Sequence, residues 1–343
     1  MVVIIHADAS PEERTEIARA LVAAGTQGAL HPVHAAAGDL YVADGAAIGA
    51  RARARLAALP GVVRVVDVPV PYPLASRTLQ PARTVVPVGN VRIGGGEPVI
   101  IAGPCAVADE TRIFAAAEAA RAAGAHILRG GAYKPRTSPY SFQGLGAEGV
   151  ELLARAGAAV GLPVVTEVME PGLVGAVATH ADILQVGSRN MQNFPLLRAV
   201  GRAGRPVLLK RGFAATIEEW LLAAEYVLAE GNPHVILCER GIRGFDPETR
   251  NVLDLACVPL LARLTHLPVI VDPSHATGRR ELVVSLAVAA VAAGADGVMV
   301  EMQPEPETAI SDAAQTIGPE ELRALVSQAR AVRAALDGAA VLA

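Results

Sequence analysis

At 343 residues the chain is too long for one small domain and suits a large α/β barrel with a smaller module, so two domains are expected. A formal net charge of -4 and only 3% aromatic residues exclude a nucleic-acid surface built on basic stripes and stacking rings. Cys105, Cys238 and Cys257 show no CxxC spacing, which supports neither a disulfide framework nor a zinc knuckle, and no apolar run is long enough to span a membrane. The opening MVVIIHADASPEER has no basic leader, so a reducing, cytoplasmic setting is expected.

VVIIHA, residues 2 to 7, reads as a strand, and SPEERTEIARALVAAG as a helix with Ser10 as N-cap, Pro11 at N1 and Glu13 completing a capping box. Two extended runs follow, about 29 to 36 and 40 to 44, then a helix over 47 to 59 and a strand at 62 to 68. That β-α-β-β-α-β order predicts a small ferredoxin-like α+β domain over residues 1–70. PYPLASRTLQPART, 71 to 84, carries three prolines and no apolar period, and VVPVGNVRIG after it has the Gly-Asn of a hairpin, so 71–97 reads as linker and hairpin.

From residue 98 eight short apolar runs alternate with helical segments: 98 to 104, 125 to 130, 163 to 169, 182 to 188, 206 to 212, 234 to 241, 268 to 274 and 297 to 303. Eight such units predict a (β/α)8 TIM barrel over 98–343, with a doubly wound open sheet as the other solution, since strand count alone does not prove closure.

Reactive groups in a barrel belong at the C-terminal strand ends, and polar residues cluster there. Cys105, Arg129, Glu167, Ser188 with Arg189, Lys210 with Arg211, Glu239 with Arg240, Asp272 with His275, and Glu301 close the eight runs in turn. Arg129, Lys134, Arg136, Arg189, Lys210 and Arg240 form a local surplus of cations in an acidic chain, which points to a polyanionic substrate carrying phosphate and carboxylate. Cys105, His275, Glu301 and Asp312 offer S, N and O donors, a mixed set that suits a borderline divalent transition metal better than magnesium or calcium.

The motifs IAGPC, LRGGAYKPRTSPYSFQGLG, VVTEVM, QVGSRNMQNF, PVLLKRG, ILCERGIRGFD, VDPSHATGRREL and EMQPEPETAISD cover most of residues 98 to 320. In them the chain resembles the 3-deoxy-D-arabino-heptulosonate 7-phosphate (DAHP) synthases of the type I beta kind, with an N-terminal ferredoxin-like regulatory domain. The resemblance implies a transferase that condenses phosphoenolpyruvate with erythrose 4-phosphate and water to DAHP and phosphate, the first step of the shikimate pathway to chorismate and the aromatic amino acids. It implies Cys105, His275, Glu301 and Asp312 as ligands of a divalent ion (Mn2+, Fe2+, Co2+ or Zn2+). Arg129, Lys134, Ser188, Arg189, Lys210 and Arg240 would hold phosphoenolpyruvate, and Arg136 and Thr137 erythrose 4-phosphate. Lys134 and Glu167, if close together, would manage the proton on the attacking water, with His275 the third catalytic residue. A tyrosine or phenylalanine effector and a homotetramer are the implied partners, with His31 and His34 as weak effector-site candidates.

Two positions depart from the family pattern: Gln303 where many relatives carry histidine, and Gly244 where threonine is common. The nearest rival is 3-deoxy-D-manno-octulosonate 8-phosphate synthase, which uses arabinose 5-phosphate but normally has a different loop at KPRT and no N-terminal domain. A Schiff-base aldolase using Lys210 and a non-catalytic phosphate sensor are the other readings.

Overall fold

The computed structural model describes residues 1–24, 31–35, 38–42, 48–135 and 138–340, with 31–35, 38–39 and 339–340 described through their backbone. The first unit runs β1 (Val2–Ile5), α1 (Pro11–Ala23), β2 (His31–Ala35), β3 (Gly38–Val42), α2 (Ala50–Ala57) and β4 (Val62–Val66). Ser10 and Glu13 make the predicted reciprocal capping box at α1, with Pro11 opening the helix. The strands form an antiparallel sheet in the order β2-β3-β1-β4, the split βαβ topology. β1 is apolar throughout because both its faces are covered. Val3 and Ile5 pack with Ile17, Leu21, Ile48 and Leu56, while Val2 and Ile4 pack in the core that also takes in Leu40, Val68, Tyr72 and Leu74.

Residues 72 to 84 are less of a free spacer than their prolines suggest. Tyr72, Leu74, Ala75 and Ser76 are buried. Leu74 and Ala75 donate backbone N–H groups to the Glu225 carboxylate at 2.7 and 2.9 Å. His266 bridges the Leu74 carbonyl at 2.8 Å and the Thr84 hydroxyl at 2.7 Å. Buried backbone polar groups need partners, and the barrel supplies them here, so this segment is a strap.

A hairpin of β5 (Val86–Val88) and β6 (Val91–Ile93) turns at Gly89 and Asn90. The barrel then alternates β7 (Val99–Gly103), α3 (Glu110–Ala123), β8 (Ile127–Arg129), α4 (Ala147–Val160), β9 (Val164–Glu167), α5 (Val174–His180), β10 (Ile183–Val186), α6 (Phe194–Arg202), β11 (Val207–Lys210), α7 (Ile217–Ala229), β12 (Val235–Glu239), α8 (Cys257–Leu264) and β13 (Val269–Val271). It ends with α9 (Pro273–Thr277), α10 (Arg280–Ala292), β14 (Gly297–Glu301) and α11 (Pro319–Ala340). All eight strands are parallel, and β14 pairs with β7 from Gly297↔Val99 to Glu301↔Gly103, which closes the barrel and removes the open-sheet alternative. The hairpin plugs the N-terminal mouth, where Val86, Val88 and Ile93 join Ile101, Ile127, Ile183, Leu208, Ile236 and Ile270 in one apolar cluster. The C-terminal mouth is left for chemistry.

Candidate active site

Each strand delivers its polar residue at the point where the apolar interior ends. Two glycines make room for them. A Cβ on Gly187 would lie 2.1 Å from Glu167 Oε1, and one on Gly131 would lie 2.6 Å from the Cys105 carbonyl oxygen. At Gly131 after β8 and Gly187 after β10 the backbone therefore comes close to Cys105 and Glu167 with no room for a side chain.

Cys105, His275 and Glu301 each place a donor atom within 4.8 Å of the others. His275 Nε2 is 3.0 Å from Glu301 Oε1, while its Nδ1 is 2.7 Å from Asp272 Oδ2. Asp272 thus orients the ring as carboxylates do behind metal-binding imidazoles. Asp312 lies at the edge of this triplet, its Oδ2 accepting from Cys105 Sγ at 3.0 Å. Lys134 Nζ lies 2.8 Å from the same sulfur and donates to the Cys105 carbonyl at 2.9 Å, which sets a cation directly beside the donor atom. Burial pushes Cys238 up to about 12 and raises Cys257 as well, outweighing the Lys210 and Arg211 cations near them.

Electrostatics in this cluster are strongly coupled. Burial opposes a charged His275, yet Asp272 and Glu301 beside it raise the imidazole to about 9. Burial likewise opposes ionisation of Asp272 and Glu301, and the cations overcome it: His275 and Lys210 hold Asp272 well below the usual carboxylate range, and His275 with Arg129 does the same for Glu301. Arg129 donates to Glu301 at 2.8 Å and Lys210 to Asp272 at 2.5 Å, both pairs buried. The donor set fits a divalent transition ion. It combines soft S, borderline N and hard O atoms, its carboxylate is ionised, and Asp272 holds the Nδ1 side of the ring so that Nε2, on giving up its proton, is the nitrogen turned toward Glu301 for an ion.

Beside this cluster opens a cavity of about 270 Å³ lined by Arg129, Lys134, Arg189, Lys210, Arg240 and Arg250 against two carboxylates, Glu167 and Asp312. Phe213 stands among the cations, its ring 5.5 Å from the Arg189 guanidinium, 4.7 Å from that of Arg240 and 5.4 Å from that of Arg243. Three cavity residues carry buried polar atoms with no hydrogen-bond partner: Arg129 Nε, Glu167 Oε1 and Ser188 Oγ. Buried polar atoms are rarely left unpaired, so these mark where a polar ligand belongs.

Of the predicted residues, Cys105, Arg129, Lys134, Glu167, Ser188, Arg189, Lys210, Arg240, His275, Glu301 and Asp312 all meet at this mouth. Arg136 and Thr137 lie outside the described residues, as do the side chains of His31 and His34. Lys134 and Glu167 share the cavity wall, but among the described residues no ion pair joins them; Glu167 takes its hydrogen bond from Gln185 at 3.2 Å. Lys210 is an ion-pair donor, unlike the lysine isolated in an apolar pocket that Schiff-base chemistry uses.

Gln303 holds its own loop, donating to the Glu305 carbonyl at 2.7 Å. A Cβ on Gly244 would lie 2.7 Å from Val252 Cγ2, so the glycine accommodates this chain's valine. Sequence reading passed over Phe213, Arg243, Arg250 and Gln315. None ends a strand, and only their neighbourhood to LKRG, ERG and ISD marks them.

Fold and site together define a barrel enzyme of phosphorylated substrates with a candidate metal centre at its mouth. Residues 75–337 match the DAHP synthetase I family, and the chain belongs to it. It is 50% identical over 275 residues to a phospho-2-dehydro-3-deoxyheptonate aldolase of Thermotoga maritima, covering 80% of this chain and 81% of that one. A 2-dehydro-3-deoxyphosphooctonate aldolase of Bradyrhizobium diazoefficiens is 33% identical, over 71% of this chain and 93% of its own. The crystal structure of the Thermotoga maritima DAHP synthase superposes with a TM-score of 0.77 at 42% identity, covering 98% of this chain and 97% of that one. A truncated form of the Thermotoga maritima enzyme gives 0.73 at 48% identity over 77% of this chain and 97% of that one.

Proposed function

We propose that this chain is a 3-deoxy-7-phosphoheptulonate synthase, which joins phosphoenolpyruvate to erythrose 4-phosphate and releases phosphate. The observation that carries the reading is the ring of six cations around a cavity that abuts the Cys105, His275 and Glu301 cluster. Two anionic substrates repel each other in water, and fixed cations offset that repulsion while orienting them. Arg189, Lys210 and Arg240 hold the phosphate and carboxylate of phosphoenolpyruvate, with Ser188 and Arg129 beside them. Arg136 and Thr137 take the phosphate of the sugar.

Cys105, His275, Glu301 and Asp312 would hold a divalent ion, which when bound would supply Lewis acidity toward the aldehyde. Phe213 keeps Arg189 and Arg240 apart and aimed at the cavity. Lys134 neutralises charge at Cys105. Glu167, with one oxygen tied to Gln185 and the other unpaired, holds the proton of the water that adds at C2 of phosphoenolpyruvate. That water adds as C3 of phosphoenolpyruvate bonds to the aldehyde carbon, whose oxygen becomes a hydroxyl on taking up a proton, and the tetrahedral C2 so formed expels phosphate by cleavage of its C–O bond.

Assay of phosphate release from phosphoenolpyruvate with erythrose 4-phosphate or arabinose 5-phosphate, each with and without EDTA, tests this. Activity with the four-carbon aldehyde that EDTA abolishes and a divalent ion restores is the expected result. Preference for arabinose 5-phosphate would move the chain to the eight-carbon synthases.

The same reading makes residues 1–70 a type I beta regulatory domain for tyrosine or phenylalanine in a cytoplasmic homotetramer. Among the described residues no helix is long and apolar enough to cross a membrane. A truncation meant to remove only regulation starts at Pro71, because one starting after Thr84 strips the strap that Glu225 and His266 hold. Inhibition by tyrosine or phenylalanine that persisted in the shorter protein would refute the regulatory assignment.

A further inference from the structure

We infer that Arg250, acting with Gln315, is a positioning residue for the metal-ligand shell: a side chain outside the donor set fixes two of its members. Arg250 Nη1 donates to Asp312 Oδ1 at 3.1 Å and to Gln315 Oε1 at 3.2 Å. Gln315 Nε2 in turn donates to Glu301 Oε2 at 2.7 Å. The amide can face only one way here, its oxygen toward the guanidinium and its nitrogen toward the carboxylate, so the two residues form a single directed chain.

The backbone around Arg250 serves the third ligand. Arg250 N donates to the Thr277 carbonyl at 2.9 Å and Asn251 N to that of Ala276 at 2.8 Å, while Asn251 Nδ2 donates to the His275 carbonyl at 3.1 Å. The segment at 250 and 251 therefore clamps the turn that presents His275 and holds Asp312 and, through Gln315, Glu301.

Asp312 has particular need of such support. Its φ of 58° makes it the one non-glycine residue of left-handed backbone among those described. That region is sparsely populated by side-chain-bearing residues and persists where surroundings over-determine it. Its carbonyl accepts from Gln315 N at 3.2 Å and from Thr316 Oγ1 at 3.0 Å, and Arg250 fixes the carboxylate. With 43% of its side chain exposed, Arg250 can be truncated without opening a core cavity.

The inference rests on the metal reading of this site, and the experiment separates the two. Full-length protein stripped of metal is titrated with Co2+ against a chromogenic chelator, while the thiolate-to-cobalt absorption reports the Cys105 contact. The wild type is expected to take up one equivalent with that absorption. Arg250→Ala should bind about 10- to 100-fold more weakly yet reach the same absorption at saturation, the size usual for a residue that orients a ligand. Arg250→Lys, which keeps the charge but is shorter and lacks the planar group that aims Nη1 at both acceptors, should fall between. Gln315→Ala combined with Arg250→Ala should be no worse than the worse single variant, because both break one chain. Melting temperatures of the metal-free proteins control for folding, and Arg250→Lys keeps the test open if the alanine variant fails to fold. Wild-type uptake matched by both Arg250 variants overturns the inference alone; no uptake by the wild type overturns the metal reading and the inference with it.

Discussion

The two mouths of the barrel are built from the same eight strands and differ in nearly every physical respect. At the N-terminal mouth Ile101, Ile127, Ile183, Leu208, Ile236 and Ile270 meet the hairpin residues Val86, Val88 and Ile93 in a closed apolar cluster. A few residues along the same strands, Arg129, Glu167 and Lys210 line a cavity, with Glu301 buried behind Arg129. Buried ion pairs such as Arg129 with Glu301 and Lys210 with Asp272 are poor investments for stability, since desolvation offsets most of the Coulomb gain. Their presence at one end only says that this end is organised for a ligand. The plugged end carries the stability that lets the other remain polar.

If that division holds, variants at the two mouths should separate activity from stability. The largest effect is expected from Cys105→Ala. Loss of a ligand to the Lewis acid should cut kcat about 10³-fold or more, several kcal/mol of barrier, with little change in the denaturation midpoint. A variant that keeps a tenth of wild-type kcat after chelation and metal reloading would remove Cys105 from the site. At the opposite mouth Ile93→Ala should lower unfolding free energy by about 2–5 kcal/mol, the range for truncating a buried isoleucine, while kcat/KM of the folded protein stays unchanged. Denaturant melts paired with assays below the midpoint read both quantities. A loss of kcat/KM at constant fold would show that the plug communicates with the chemistry.

Arg189→Ala sharpens the comparison within the active mouth. Removing one charge-assisted contact to an anion is worth about 1.5–3 kcal/mol, so KM for phosphoenolpyruvate should rise roughly 10- to 100-fold. Arg189 is exposed and makes no ion pair among the described residues, so unfolding should be little affected. A KM that stays at the wild-type value would exclude Arg189 from the phosphoenolpyruvate subsite.

How far all this was legible in the sequence follows from the same contrast. The eight strands and the polar residue at the end of each could be read because apolar runs and their abrupt ends are local signals. Closure was not readable, since the β14 to β7 pairing joins segments nearly 200 residues apart and leaves no local trace. The donors Cys105, His275 and Glu301 sit at strand ends and were found; Gln315 and Arg250 act through side chains that reach across loops, and a loop polar residue looks the same whether it faces solvent or a carboxylate. The strap misled for a related reason. Its prolines read as spacer, while the groups that hold it, Glu225 and His266, lie about 150 and 190 residues away.

The strap also supplies the smallest effect and the one that tests whether the stabilising mouth is as inert as proposed. Glu225 accepts two backbone N–H groups, which favours its ionised form, but burial weighs more and raises it from its ordinary value near 4.5 to about 7. A carboxyl raised on folding binds its proton more tightly in the native state. Its contribution is therefore fully present below about pH 4.5 and is lost as pH rises through 7. Unfolding free energy should fall by on the order of 1 kcal/mol from this group between pH 6 and 8, and Glu225→Gln should flatten that part of the profile. The four-carbon aldehyde assay at the same pH values serves as the comparison. If Glu225→Gln altered the pH profile of kcat as well as that of stability, the strap would have to be counted with the catalytic mouth.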